Sequence, residues 1–285
     1  MEKLNIAVTR RLTPTLFQEI EAVDPRLKAW DIADAAEAEA GRIKPPPGQN
    51  TDSRMDPVLK ETDIIFGSPI PKRILERAPN LRWIQTSTTG FDFLEGTGVF
   101  EKGILVSLAR VHGRSLAEFA MAYMLMLAKD APRHWKNQKQ HQWERFNTGQ
   151  LEGKTVGILG LGRVGRALAS MARGFEMRLV AIRRSQERAE RGVQGVDELL
   201  PPSHLERLLE QSDFVVVGVP LTAETRGMLG ETALRAMKPS AYLINVARGA
   251  IVDDTALVRA LREGWIAGAG LDAFTTEPLP RDSEL

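Results

Sequence analysis

The stretch TVGILGLGRVGRALASMA, residues 155–172, constrains the fold of this chain more than any other. An apolar run, 155–159, leads directly into Gly160-x-Gly162-x-x-Gly165, and an amphipathic helical pattern begins there. Glycines at this spacing recur in ordinary loops. Here a strand precedes them, a helix follows, and a second apolar run at 178–182 closes a βαβ unit. In that context they mark a dinucleotide-binding turn. Gly160 permits the tight turn, Gly162 lets backbone approach a pyrophosphate, and Gly165 lets helix and strand pack closely. Leu161 lies within the turn. The free amides near Arg163 and Val164 sit at a helix start, where the helix dipole favours an anion.

The end of the second strand bears on which dinucleotide. An NAD site places Asp or Glu about 20 residues past the glycines, where it accepts from the ribose 2′-hydroxyl. Here the strand RLVAI ends in Arg183-Arg184-Ser185. A carboxylate would repel a 2′-phosphate, whereas a guanidinium binds it bidentately. The position favours NADP(H), with NAD(H) also acceptable. The competing reading is a solvated basic pair.

Further apolar runs at 214–219, 241–245 and 267–273 read as strands with helices between them. They are apolar on both sides, as in a parallel sheet covered on both faces. Ser203-x-x-Glu206 reads as a capping box, and Asp253 or Asp254 as the cap of the helix through Leu261. The first half alternates in the same way. A strand at 4–8 precedes a helix capped by Thr13 and opened by Pro14. The run GRIKPPPGQNTDSRMD, 41–56, reads as a surface loop, because it holds three consecutive prolines. A strand at 63–66, a helix at 72–78 and a strand at 81–85 follow. The expected fold class is α/β: two flavodoxin- or Rossmann-like parallel-sheet domains, the nucleotide-binding one doubly wound.

From Ser115 a helix apolar on all sides, with Phe119, Met121, Met124 and Leu125, is expected to be deeply buried. The polar segment 136–150, with Trp135 just before it and Trp143 within it, is either a solvated connector or an arm gripping a second subunit. We read the arm, and hence a homodimer. Lys plus Arg number 38 and Asp plus Glu 37, so no global field favours nucleic acid or an anionic membrane. Cysteine is absent, which excludes thiolate metal sites and thiol nucleophiles; no metal is expected. The most apolar run, 117–128, is shorter than the roughly 20 residues a membrane span takes. A cytoplasmic protein is the expectation.

The chain resembles the D-isomer-specific 2-hydroxyacid dehydrogenases. The resemblance is carried by LEGKTVGILGLGRVG (151–165), SDFVVVGVPLTAETRGML (212–229), MKPSAYLINVARGAIVDDTALVRAL (237–261) and AGAGLDAFTTEPLPRDSEL (267–285). Within the family it looks nearest to glyoxylate/hydroxypyruvate reductase-like members. The resemblance implies a substrate domain, 1–105, lacking its C-terminal return segment, a nucleotide domain, 106–285, and a site in the cleft between them. It implies a small 2-oxo or 2-hydroxy acid as substrate. By position it makes Arg248 the catalytic arginine, which also grips the substrate. Gly67 and Ser68 match the loop whose amides hold the substrate carboxylate. Val219, Pro220 and Thr225 match the stretch along the cofactor. Val246 and Ala247 match residues near the nicotinamide ribose, and Asp272 the aspartate at the nicotinamide end. Glu277 matches the carboxylate that orients the family's catalytic histidine.

The sequence departs from that pattern at the histidine. In the family it sits in a Pro-His motif a short way past Glu-Pro-Leu-Pro, and the 285 residues stop before one. The four histidines present, His112, His134, His141 and His204, have no such context. The expected reading is a reductase whose chain is an incomplete version of a longer protein. The alternative is a non-catalytic relative that binds NADP(H) as a sensor or partner-binding module.

Overall fold

The computed structural model describes residues 3–44 and 51–285. They form two compact units, Met1–Val111 and His112–Leu285. In the first, the chain runs through β1 (Leu4–Val8), α1 (Pro14–Ala22), β2 (Leu27–Asp31), α2 (Ala33–Glu39), α3 (Thr51–Lys60), β3 (Ile64–Phe66), α4 (Ile74–Arg77), β4 (Trp83–Gln85) and β5 (Leu105–Ser107). The five strands are parallel in the order β2-β1-β3-β4-β5, the flavodoxin order. Because β5 pairs with β4, this unit runs to Val111 rather than ending at 105.

Thr13 caps α1 as expected, accepting from the Leu16 amide, with Pro14 in the first turn. The segment 41–56 is not all loop. Residues 45–50 lie outside the described residues, and α3 begins at Thr51 with Asp52 in its first turn, where an acid suits the helix dipole. β2 and α2, which the sequence reading passed over, complete the first βα units.

One face of this sheet carries Ala7, Ile65 and Ile84, packed with Ala35, Ala36, Met55 and Leu59 from α2 and α3. The other face presents Ile6, Ile64, Phe66 and Trp83 to an apolar hollow of about 240 Å³, shared with Ile20 and Val23 of α1. Arg77 of α4 is buried, its side chain 7% exposed. It donates to Glu39 and Asp56 at 2.6 Å each, and Glu39 also accepts from the Lys72 amide. The segment leading away from Gly67-Ser68 is thereby pinned to α2 and α3.

The second unit contains α5 (Gly113–Ala128), α6 (Ala131–Lys139), β6 (Thr155–Leu159), α7 (Arg163–Arg173), β7 (Arg178–Ile182), β8 (Glu190–Val193), β9 (Val196–Leu200), α8 (Leu205–Gln211), β10 (Phe214–Val217), α9 (Glu231–Arg235), β11 (Tyr242–Asn245), α10 (Asp254–Glu263) and β12 (Gly268–Leu271). The sheet order is β12-β11-β10-β6-β7-β9-β8. β8 runs antiparallel to β9 at the edge, and the other pairs are parallel. Six parallel strands thus wind outward in both directions from β6, as in a Rossmann sheet.

Side chains alternate across the sheet with period two. Val156, Ile158, Phe214 and Val216 pack against α5 and α7, while Leu159, Val215 and Val217 pack towards α8, α9 and α10. Both faces are covered, which is why the strands are apolar throughout.

Two expectations fail here, and one element was not foreseen. α5 is not buried all round: Ala117, Ala120, Met121 and Met124 face the core, while Phe119 is 49% exposed. One side packs on α7 and the sheet, and the opposite side is open. Ser203-x-x-Glu206 is not a capping box. A 3-10 turn at Pro202–His204 moves the cap of α8 to His204, and the Ser203 hydroxyl faces the His204 ring. The β8–β9 hairpin had no counterpart in the sequence reading. Asp253, by contrast, caps α10 through the Ala256 amide.

Replacing Arg77 by Met leaves Glu39 and Asp56 without their buried cation. Removing one partner of a buried ion pair is strongly destabilising, and about 3 kcal/mol is expected here. Urea unfolding of Arg77→Met against the parent checks it.

Candidate active site

In open parallel sheets, ligands bind beyond the carboxyl ends of the strands where the order reverses. In the second unit that point lies between β6 and β10. Gly160 follows β6 with φ +100°, and a Cβ there would lie 2.9 Å from both the Gly218 carbonyl oxygen and a Val219 methyl. The Gly160 and Leu161 amides donate to the Ile182 carbonyl at the end of β7. A Cβ on Gly165 would lie 2.2 Å from the Gly160 carbonyl oxygen, so α7 rests directly on the turn. A Cβ on Gly162 would meet nothing within 4 Å. Its backbone faces open space at the N-terminus of α7, and no acidic side chain occupies the first turn. These are the conditions a pyrophosphate needs.

The loop after β10 is tied by its threonines. The Thr225 hydroxyl donates to the Pro220 carbonyl and accepts from the Thr222 amide. Thr225 therefore shapes the stretch beside Val219 and Pro220 from within. The Glu224 carboxyl nearby is held below its ordinary range, first by the Thr222 hydroxyl and more weakly by the charge of Arg184.

At the end of β11, buried Asn245 organises the next turn. Its amide donates to the Arg248 carbonyl at 2.9 Å, and its side-chain oxygen accepts from the Ala247 amide at 3.1 Å. The Arg248 guanidinium donates to the Ala247 carbonyl at 3.0 Å. A Cβ on Gly249 would lie 1.9 Å from the carbonyl carbon of Phe274, so the Arg248 turn is pressed against the segment after β12. There the Phe274 amide donates to Glu277 at 2.9 Å, closing a turn whose Glu277–Pro278 bond is cis. Arg248, Asp272 and Glu277 are thus brought to neighbouring loops of one sheet edge.

Neighbouring atoms remove part of the water around the Asp272 carboxyl, and Glu277 adds like charge; both raise its pKa. Tyr123 of α5 packs over Gly270 and donates to the Leu271 carbonyl.

In the first unit the order reverses between β1 and β3. Gly67 follows β3 with φ +124°, and a Cβ there would lie 2.7 Å from the Thr9 hydroxyl. Its amide is used by the Gln85 carbonyl. Ser68, the other residue expected to offer its amide, lies next, ahead of the cis bond to Pro69. Asn245, Gly249 and Tyr123 were not singled out as site residues from sequence. An Asn two residues before a turn amide is the Asx-turn signal that could have shown the first. Among the described residues no group of three or more His, Asp or Glu side chains could hold a metal ion, and no helix is long and apolar enough to cross a membrane.

The NAD-binding domain model of the D-isomer-specific 2-hydroxyacid dehydrogenases matches residues 121–285. This chain belongs to that family. A glyoxylate reductase of Pyrococcus furiosus is 40% identical over 236 residues, which cover 77% of this chain and 68% of the relative. A family protein of Aeromonas salmonicida has a structure that matches with TM-score 0.80 at 25% identity, covering 100% of this chain and 86% of that one. Another from Xanthobacter autotrophicus, solved with NADPH and MES, matches with TM-score 0.76 at 27% identity, covering 100% and 85%. As in any 2-hydroxyacid dehydrogenase, the hard chemistry belongs to a nicotinamide cofactor, and the glycine turn fits one.

Because the folded state holds the Asp272 carboxyl above its unfolded pKa, folding favours its protonated form. Stability from this group is present at low pH and lost as pH rises through the raised value. Asp272→Asn is expected to raise Tm at about pH 7 and to change it little at about pH 3, near the ordinary carboxylate range. Calorimetry at the two values checks the sign.

Proposed function

We propose that this family member reduces small 2-oxo acids of the glyoxylate or hydroxypyruvate type to D-2-hydroxy acids, with NADP(H) preferred over NAD(H). The observation that carries the reading is the placement of Arg248 by Asn245 and Gly249, beside the Asp272–Glu277 segment and on the same sheet edge as the glycine turn. The name of the Pyrococcus relative supports the substrate class, and the NADPH in the Xanthobacter structure supports the cofactor.

When bound, the nicotinamide supplies the hydride. The protein's part is to bind and orient. The amides at Gly162, Arg163 and Val164 would receive the pyrophosphate, with Arg183 and Arg184 towards a 2′-phosphate. Val219, Pro220 and Thr225 would line the dinucleotide, Val246 and Ala247 its nicotinamide ribose, and Asp272 its nicotinamide end. The Arg248 guanidinium matches a 2-oxo carboxylate and stabilises charge developing on the adjacent oxygen. The first unit would be the substrate domain, with the Ser68 amide as its carboxylate donor.

Glu277 would orient an imidazole. None of the four histidines is assigned that part: His112, His134 and His141 are exposed, His134 packs on Phe146, and half-buried His204 faces Ser203. A second reading is a dinucleotide-binding module without turnover. NADPH oxidation with glyoxylate and hydroxypyruvate separates the two. It should be measured on this chain and, where the reading frame continues past codon 285, on the longer polypeptide. Tight NADPH binding without turnover by either would leave the binding module.

Phe119, Trp135 and Trp143 are 49%, 51% and 90% exposed and support a homodimer through α5, α6 and the segment after them. Deleting 136–147 should shift sedimentation from dimer to monomer; an unchanged coefficient removes the arm. In a turnover-competent chain, Arg248→Met should lower kcat/KM by about 10²–10³, the usual cost of one charge-stabilising donor. NADPH affinity should stay within about twofold, because the guanidinium serves the substrate rather than the cofactor. Steady-state kinetics with calorimetric titration of NADPH checks both.

A further inference from the structure

We propose that Gln194, at the tip of the β8–β9 hairpin, is a positioning residue for dinucleotide preference. It holds Arg166 and Arg183 together as a receptor for a nucleoside 2′-phosphate. The inference rests on the NADP(H) reading above and names side chains which that reading does not use.

The hairpin turns in two residues, Gln194 and Gly195, between the paired Val193 and Val196. Both have positive φ, +53° and +78°. Such turns favour Asn, Asp or Gly at the first position. Gln is not a residue the turn itself selects, and its extra methylene gives it reach. Its side-chain oxygen accepts from Arg166 of α7 at 2.8 Å and from Arg183, just past β7, at 2.9 Å. One neutral oxygen thus draws two guanidinium groups to the same point, one from the residue after Gly165 and one from the strand end where the 2′-substituent is read.

Like charges this close repel, and among the described residues neither has a carboxylate partner. The hairpin's own acids do not compensate them: Glu190 pairs with Arg188, and Glu198 with Arg178 and Arg207. Asp197 faces Arg173 at 4.0 Å, and Arg173 also donates to the Gly195 carbonyl. Of the arginine pair, Arg183 is the one held in place by the Gln194 side chain, a partner that carries no charge. A phosphate dianion between Arg166 and Arg183 would relieve the repulsion, and each guanidinium keeps further N–H donors for it. A neutral amide suits the holder: a carboxylate at 194 would bind both arginines and compete with the phosphate.

The test is calorimetric titration with 2′-phospho-ADP-ribose and with ADP-ribose, neither of which requires turnover. Gln194→Asn keeps a residue tolerant of left-handed backbone and withdraws the amide by one methylene. It should weaken 2′-phospho-ADP-ribose about tenfold, the scale of one hydrogen bond to a charged group, and leave ADP-ribose within about twofold. Arg166→Ala should do the same. Gln194→Glu should cost more, and should bring the two ligands to equal affinity or reverse them. Equal losses for both ligands in Gln194→Asn would make the residue merely structural and overturn the inference. So would an unchanged preference in both Gln194→Asn and Arg166→Ala while Arg183→Ala abolishes it; that result leaves the NADP(H) reading intact. A parent protein that binds the two ligands equally would overturn the NADP(H) reading, and this inference with it.

Discussion

At Gly165 the backbone of α7 lies so near the Gly160 carbonyl that no side chain could begin there. This contact fixes the position of everything else on the nucleotide side of the molecule. It sets the N-terminus of α7 on the end of β6, and the Ile182 carbonyl anchors the turn from the β7 side. The strands beneath are apolar on both faces and covered on both, so the platform cannot tilt without opening two cores. A helix dipole and unpaired amides attract anions only where they are held still and left uncovered. Here the first condition comes from Gly160 and Gly165, and the second from the open space at Gly162.

The same device recurs where the candidate chemistry lies. Gly249 touches the Phe274 backbone, and Asn245 fastens the turn that carries Arg248. The Arg248 turn and the Phe274–Glu277 turn are thus in direct backbone contact. Asp272 and Glu277 are two acids on one rim, and their mutual repulsion adds to partial desolvation in raising the Asp272 pKa. Folding pays for that placement in stability, a common pattern at functional sites. The first unit follows the same topological rule at its own reversal point. There Gly67 is close against Thr9, whose buried hydroxyl has no hydrogen-bond partner among the described residues.

What the sequence made legible follows from how locally each feature is specified. The glycine turn, five of the six parallel strands of the second sheet, the cap at Thr13 and the cap at Asp253 or Asp254 depend on residues a few positions apart, and they were read from the sequence; the sixth strand, β9, was not. Residues 203–206 misled because a capping box is a pattern of side chains, whereas the cap is decided by backbone geometry, and Pro202 opened a 3-10 turn first. The exposed side of α5 misled because Phe119 looks like a core residue whatever it faces. Asn245 and Gly249 were hidden for another reason. Their partners lie on other segments, and nothing in a linear string says that 249 meets 274. The β8–β9 hairpin was legible in principle, through Gln-Gly between two short runs, but its charged flanks hid the period-two pattern.

Arg183 and Arg184 are adjacent in sequence yet differ in what surrounds them. Preference between two cofactors is a difference of affinities, so what matters is interaction that one ligand makes and the other does not. A mobile surface arginine gives little, since ordering it costs about as much as an exposed ion pair returns. An arginine already held, with a second cation beside it and no carboxylate to satisfy either, gives more, because the ordering and the repulsion are built in before the ligand arrives. In the proposed 2′-phosphate receptor, Arg183 at the end of β7 would be a necessary part and an insufficient one. The part that would complete it lies eleven residues on, at the tip of a hairpin. There a neutral side chain orients charge without cancelling it.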